Sequence, residues 1–169
     1  DDVDLAFCDG PVTDRYDPLV DTELTTWPDP VWTTEANGRR VIDLEGAPWL
    51  EEQVPLIQTV FAGVNGVSGF ARVGSAFLRF TGDIGEVEPL VLAPTLDDPV
   101  LLLDLSTSPP TPLPFEAFLE EGGTQLRVTP LRTLAHDADH ALVVRSHQAP
   151  PDGGCIAPAP QLQDRKSVV

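Results

Sequence analysis

Apolar and polar residues alternate along the second half of the chain, which is the pattern of strands that bury one face. In the first such segment, Leu78 and Phe80 share one face, while Phe77 and Arg79 lie on the other. Alternation, or in one segment a near-continuous apolar run, predicts further strands at residues 90–93, 100–105, 115–120, 124–129 and 140–145. Several short strands with turns between them indicate an antiparallel β-sandwich over residues 69–150.

The earlier part of the chain has a different pattern. Residues 1–49 are rich in proline, aspartate, threonine and tryptophan, and we expect much of this stretch to be extended, because proline disfavours the α region for its predecessor. An Asn-Gly pair at Asn37 predicts a turn before a short strand at residues 39–44. Apolar spacing of three and four residues predicts one short helix within residues 50–63, where Pro55 suits the first helical position.

These patterns divide the chain into consecutive parts. We expect an N-terminal extension packed on the sandwich (residues 1–49), a short helix and connector (50–68), the sandwich (69–150) and a Pro/Ala-rich tail or linker (151–169).

The charge of the chain excludes several kinds of partner. The net charge is −17, and Lys166 is the only lysine among ten basic residues. Such a surface repels phosphate groups, so nucleic-acid binding is disfavoured. Residues 54–71 carry no charge but are interrupted by Pro55 and several glycines, which argues against membrane insertion.

Residues 129–144 contain two of the three histidines and are the strongest candidate for a metal site. Histidines spaced like His136 and His140 bind zinc when a helix places them on one face. Here Pro130 marks a corner and Asp137 suits a tight turn, so the segment is predicted to be strand, turn and strand. This arrangement separates the two imidazoles and favours a structural role. No Cys/His spacing elsewhere indicates zinc, and we assign no catalytic, cofactor-binding or metal-ligating residue.

An acidic run near the N-terminus raises the alternative of calcium binding. Calcium prefers several carboxylate oxygens, but no EF-hand spacing is present, and a solvated terminus is the favoured interpretation. The run consists of Asp1, Asp2, Asp4, Asp9, Asp14 and Asp17.

Three stretches together resemble a bacterial family. Residues 27–30 (Trp-Pro-Asp-Pro) and 38–41 (Gly-Arg-Arg-Val) resemble the N-terminal segment of large secreted lipases of the "virulence factor lipase" type. Residues 65–70 with 77–82 are similar to the junction where a helix enters an immunoglobulin-like (Ig-like) domain in that family. Residues 129–144 resemble the strand-corner-strand of bacterial Ig-like domains of the surface-layer type, with His140 where tyrosine is usual.

The resemblance implies an Ig-like β-sandwich that precedes an α/β-hydrolase domain. This chain has no Gly-x-Ser-x-Gly nucleophile elbow, which a hydrolase domain of that kind would require. The expected function is therefore that of a non-catalytic accessory module. It would pack against or present a partner, either a protein domain such as an α/β-hydrolase or a cell-surface component.

The predicted location is secreted, periplasmic or on the cell surface. The chain begins at Asp1 without a signal peptide, as a mature secreted form would. In an oxidising compartment, Cys8 and Cys155 would form a disulfide that contributes about 4–5 kcal/mol at most. Two unrelated thiols remain the alternative.

Trp27, Trp32 and Trp49 all precede the predicted sandwich. They anchor the extension on the sandwich, or they form a docking or ligand surface. The second interpretation corresponds to a carbohydrate- or cell-surface-binding module. A small secreted hydrolase is a further alternative, because serine, histidine and aspartate are all present, although without a local signature.

Overall fold

The protein is mainly β, with several antiparallel sheets and little helix. The computed structural model describes residues 10–148, 150–151 and 153–159. Within these residues the backbone divides into two compact units. The first unit comprises the residues up to Tyr16 together with those from Arg72 onward, and the second comprises Asp17–Ala71.

The regular elements are short throughout. In chain order they are β1 (Val12–Thr13), β2 (Thr26–Trp27), β3 (Thr33–Ala36), β4 (Arg39–Ile42), α1 (Pro48–Glu51), α2 (Pro55–Ala62), β5 (Ala76–Arg79), β6 (Leu90–Val91), β7 (Val100–Asp104), β8 (Thr111–Leu113), β9 (Phe115–Glu120), β10 (Gln125–Pro130), β11 (His140–Val144) and β12 (Ile156–Ala157).

The first unit contains two antiparallel sheets and one parallel pair. Strands β5, β10, β9 and β6 are hydrogen-bonded in that order in one sheet, and β11, β7 and β8 form the other. Strands β1 and β12 pair in parallel. The strands predicted from alternation are therefore present, with boundaries shorter by one or two residues at several ends.

Both sheets of the first unit contribute to a single apolar core. Leu126 and Val128 of β10 and Phe115 of β9 are fully buried, and they share this core with Leu102 of β7 and Leu113 of β8. A core shared by the inner faces of two sheets is consistent with the predicted β-sandwich. The Ig-like topology stays a prediction.

The second unit has a core of its own, built from its hairpin and its two helices. Strands β3 and β4 are joined by Asn37 and Gly38, which both have positive φ values of 54° and 73°, as an Asn-Gly hairpin turn requires. Ile57 and Phe61 of α2 pack against this core. The core also contains Trp32, Ile42, Leu44, Ala47, Trp49 and Leu50.

The structure differs from the expected pattern in three segments. Pro55 begins α2 as predicted, but a separate helix, α1, precedes it. Residues 106–114, which are rich in proline and for which no strand was predicted, contain β8, where Pro112 is tolerated because β8 is an edge strand. Residues Ile156 and Ala157, in the predicted tail, are buried and pair with β1. A strand of two residues is too short to produce a readable alternation.

No helix among the described residues is long and apolar enough to cross a membrane.

A substitution at Gly123 would test how closely the turn between β9 and β10 is packed. Its φ is +88°, and a Cβ at this position would overlap the Asp83 carboxylate, which already accepts a hydrogen bond from the Gly85 amide at 2.9 Å. We expect Gly123→Ala to lower the free energy of unfolding by roughly 2–4 kcal/mol, as left-handed strain and the overlap together imply. Urea denaturation followed by circular dichroism would measure this loss.

Gly122→Ala is the matched control. Gly122 also has a positive φ, of 69°, but a Cβ there would have no heavy atom within 4 Å. The free energy of unfolding of this variant should therefore fall only by the cost of the left-handed backbone, about 1–2 kcal/mol. Equal losses for the two variants would contradict the role given to Asp83.

Candidate functional site

The candidate site is the solvent-facing side of the sheet formed by β5, β10, β9 and β6, which we call the outer face. Cross-strand partners in an antiparallel sheet project to the same side, so the register identifies its members. Leu126 and Val128 face the core, which places their neighbours in β10 on the outer face. The outer face consists of Phe77, Arg79, Leu90, Glu116, Phe118, Glu120, Gln125, Arg127 and Thr129.

An arginine lies between two phenylalanines at the centre of the outer face. Arg127 of β10 is opposite Phe77 of β5 on one side and opposite Phe118 of β9 on the other. Its guanidinium carbon lies 4.7 Å from the centroid of the Phe118 ring, within cation–π range. Phe118 remains 42% exposed, so the stack leaves much of this side chain available to a partner.

Polar side chains border this aromatic row at one end and hold the arginine in place. The Arg127 Nε donates to Glu120 Oε1 at 2.8 Å, and the Gln125 amide donates to Glu120 Oε2 at 2.7 Å. Arg79 donates to Gln125 Oε1 at 2.9 Å and to Glu121 Oε1 at 3.1 Å. The hydrogen bond from Arg127, followed by that from Gln125, lowers the pKa of the Glu120 carboxyl below its ordinary value.

At the other end of the row, a hydroxyl pair and an apolar side chain extend the outer face. Ser75 and Thr129 share a hydrogen bond of 2.7 Å between their hydroxyl oxygens. Thr129 is opposite Glu116, which is in turn opposite Leu90 in the edge strand β6. Leu90 is exposed, so an apolar contact lies at this corner of the face.

The histidine segment forms the predicted turn. Asp137 has a φ of 51°, the left-handed conformation that aspartate tolerates better than most residues. His136 lies in the turn, where its Nδ1 is 2.7 Å from Asp137 Oδ2, and both side chains are exposed. His140 begins β11, and its Nδ1 is 3.0 Å from the carbonyl oxygen of Ala138.

Across the strands, His140 is opposite Asp104 of β7. Hydrogen bonds from the Ser106 hydroxyl and amide lower the pKa of Asp104, and the nearby imidazole lowers it further. The described residues contain no group of three or more histidine, cysteine, aspartate or glutamate side chains that could hold a metal ion. The structural role given to His136 and His140 stays a prediction.

The tryptophans belong to the core of the second unit. Trp32 and Trp49 are only 3% and 4% exposed, and their rings meet edge to face with centroids 6.2 Å apart. Trp49 makes a similar contact with Phe61 at 5.4 Å, and the half-buried Trp27 contacts Phe70 at 5.0 Å. Packing therefore occupies the rings of Trp32 and Trp49, and only Trp27 retains substantial surface for a ligand.

Two sequence-based predictions fall partly outside the described residues. Cys8 is not among the described residues, so the disulfide between Cys8 and Cys155 stays a prediction. Most of the acidic run, from Asp1 to Asp9, also lies outside the described part of the chain. Calcium binding by that run is likewise untested.

No protein-family model matches this chain, and neither a curated protein nor a solved structure is found to be similar to it. The resemblance to the N-terminal region of secreted lipases therefore stays a prediction.

The sequence pattern alone did not identify the outer face as a site. Alternation predicted that Arg127 points away from the core, and it placed Phe77 and Arg79 on one face of their strand without showing which face is buried. The missing information was the register, which brings Phe77, Arg127 and Phe118 into one row. A phenylalanine at an outward position in each of two strands, with an arginine between them in a third, is the signal that could have identified it.

Replacing a tryptophan distinguishes a core role from a ligand-binding role. We expect Trp32→Ala to lower the free energy of unfolding by about 3–5 kcal/mol, because a large buried ring is lost. Trp27→Ala should cost clearly less, because Trp27 is only half-buried. Urea denaturation followed by circular dichroism would compare the two variants, and an unchanged midpoint for Trp32→Ala would contradict the core assignment.

The lowered pKa of Glu120 predicts a dependence of stability on pH. Because the folded pKa lies below the ordinary value of 4.5, ionised Glu120 contributes its full stabilisation above that value. The contribution is lost as the pH falls through the folded pKa. Melting temperatures of the wild type and Glu120→Gln should therefore differ most near neutral pH and converge in strong acid.

Glu116→Gln provides the control for this comparison. Glu116 lies on the same strand and the same face, but its carboxylate has no hydrogen-bond partner among the described residues. A gap between wild type and Glu120→Gln that stays constant from neutral pH to strong acid would contradict the stabilising role of the Arg127–Glu120 contact.

Proposed function

We propose that this protein is a non-catalytic binding module that docks onto a partner protein domain through its outer face. The observation that carries the proposal is the row of Phe77, Arg127 and Phe118, exposed in part and bordered by polar side chains. Aromatic residues and arginine are enriched where protein interfaces concentrate their binding energy.

The arrangement of charges supports binding rather than chemistry. Glu120 and Arg127 satisfy each other, and both carboxylate oxygens of Glu120 accept hydrogen bonds. The pKa of Glu120 is lowered, so near neutral pH it is an ionised acceptor and not a poised general acid. An internally paired row suits recognition, since these hydrogen bonds already restrict side-chain freedom that binding would otherwise remove.

The secreted-lipase resemblance gives the partner a class. In such proteins the corresponding region precedes an α/β-hydrolase domain, so we propose a domain of that kind as the occupant of the outer face. Location outside the cytoplasm belongs to the same proposal. The carbohydrate-binding alternative is weakened by the burial of Trp32 and Trp49, on which its stacking platform depended.

A titration with a neighbouring domain tests the proposal. The coding sequence on either side of this chain is determined, and any adjacent domain is expressed separately. Isothermal titration calorimetry then measures the affinity of that domain for this protein. We expect Phe118→Ala to weaken binding about 30-fold, which corresponds to about 2 kcal/mol for a central interface side chain.

Leu105→Ala is the matched control for that titration. Leu105 is 43% exposed, close to the 42% of Phe118, but it follows β7 in the other sheet. Its replacement should leave the affinity unchanged. Equal affinities for wild type and Phe118→Ala, or the lack of any folded domain in the adjacent coding sequence, would contradict the proposal.

A further inference from the structure

The chain contains two asparagines, Asn37 and Asn65, and each is followed by glycine. In an Asn-Gly pair, the glycine amide nitrogen can attack the side-chain amide of the asparagine, because glycine has no side chain to hinder that nitrogen. The two pairs have the same local sequence chemistry, so any difference in their reactivity must come from the fold.

Exposure does not separate the two sites, because both asparagines and both glycines lie at the surface. The hydrogen bonds do separate them. Asn65 Oδ1 accepts a hydrogen bond from the Leu44 amide at 2.9 Å, and the Gly66 amide donates to the Ile42 carbonyl at 2.8 Å. Both the group that would be attacked and the nitrogen that would attack it are therefore held in place.

The hairpin between β3 and β4 leaves the corresponding groups of the other pair unbound. Within the described chain, neither the Asn37 side chain nor the Gly38 amide makes a hydrogen bond. The turn also lies at the end of a two-stranded sheet, where local opening costs little free energy. Backbone movement at Asn37 can thus bring the reacting atoms together without breaking a hydrogen bond of either reacting group.

We infer that Asn37 is a site of spontaneous deamidation and that the fold protects Asn65 from the same reaction. The Gly38 nitrogen attacks Asn37 Cγ, a new C–N bond forms, and the Cγ–Nδ2 bond breaks with release of ammonia. Water then opens the cyclic imide at either carbonyl carbon and leaves aspartate or isoaspartate at position 37.

The product would change the surface of the hairpin. A carboxylate appears two residues before Arg39 and adds one negative charge to a chain whose net charge is already −17. The isoaspartate form also inserts a backbone carbon into a turn whose two residues both have positive φ. The modification would therefore alter the geometry of the β3–β4 turn while leaving the core of the second unit in place.

Peptide mapping by mass spectrometry tests the inference. The native protein is incubated in mildly alkaline buffer, digested, and compared with a sample incubated in guanidinium chloride. In denaturant we expect the two asparagines to react at similar rates, because their sequence contexts are alike. In the native protein, the deamidated fraction at Asn37 should exceed that at Asn65 by about tenfold or more, a factor that corresponds to about 1.4 kcal/mol.

Asn37→Asp serves as the standard for the product peptide, and in this variant Asn65 is the one asparagine that can still deamidate. Equal native rates at the two sites, or a faster reaction at Asn65, would overturn the inference. Protection of both sites in the native protein, with reaction of both in denaturant, would overturn it as well.

Discussion

The complete burial of Leu126 and Val128 in β10 is the constraint on which the first unit depends. Strand β10 is central in its sheet and pairs with β5 on one side and β9 on the other. A shift of the register by one residue would turn the arginine into the core and both apolar side chains into solvent. Burial of an unpaired guanidinium is so unfavourable that a shift by one residue is excluded.

The outer face is a consequence of the same constraint. Once β10 is fixed, Phe77 and Phe118 must lie on either side of Arg127, because each is its direct cross-strand partner. The same register brings the side chains of Arg127 and Glu120 close enough for their hydrogen bond of 2.8 Å. Exposed ion pairs contribute little by themselves, so the value of this contact lies in orienting the arginine.

Alternation of apolar and polar residues was enough to predict most strands of the first unit and the burial of Leu126 and Val128 in β10. It could not predict β1 and β12, because two residues define no period, nor β8, because proline at position 112 is typical of a loop.

The tryptophans show a different limit. The sequence left open whether the tryptophans anchor a segment or form a ligand surface. The contacts of Trp49 with Trp32 and with Phe61 show that Trp32 and Trp49 belong to a core. The row of the outer face depended on register, which is a property of pairs of strands and is not encoded in one strand's pattern.

The edge strands β6 and β8 are poorly suited to recognition by strand addition. The edge strand β6 has only two residues, so it offers few backbone groups to an added strand. In the second sheet, the edge strand β8 has three residues, and Pro112 has no amide hydrogen to donate. Binding by strand addition needs a row of free backbone donors and acceptors, which neither of these edges supplies. On the longer strands β9 and β10, by contrast, the outward side chains include the Phe118–Arg127 stack, which the proposed docking would use.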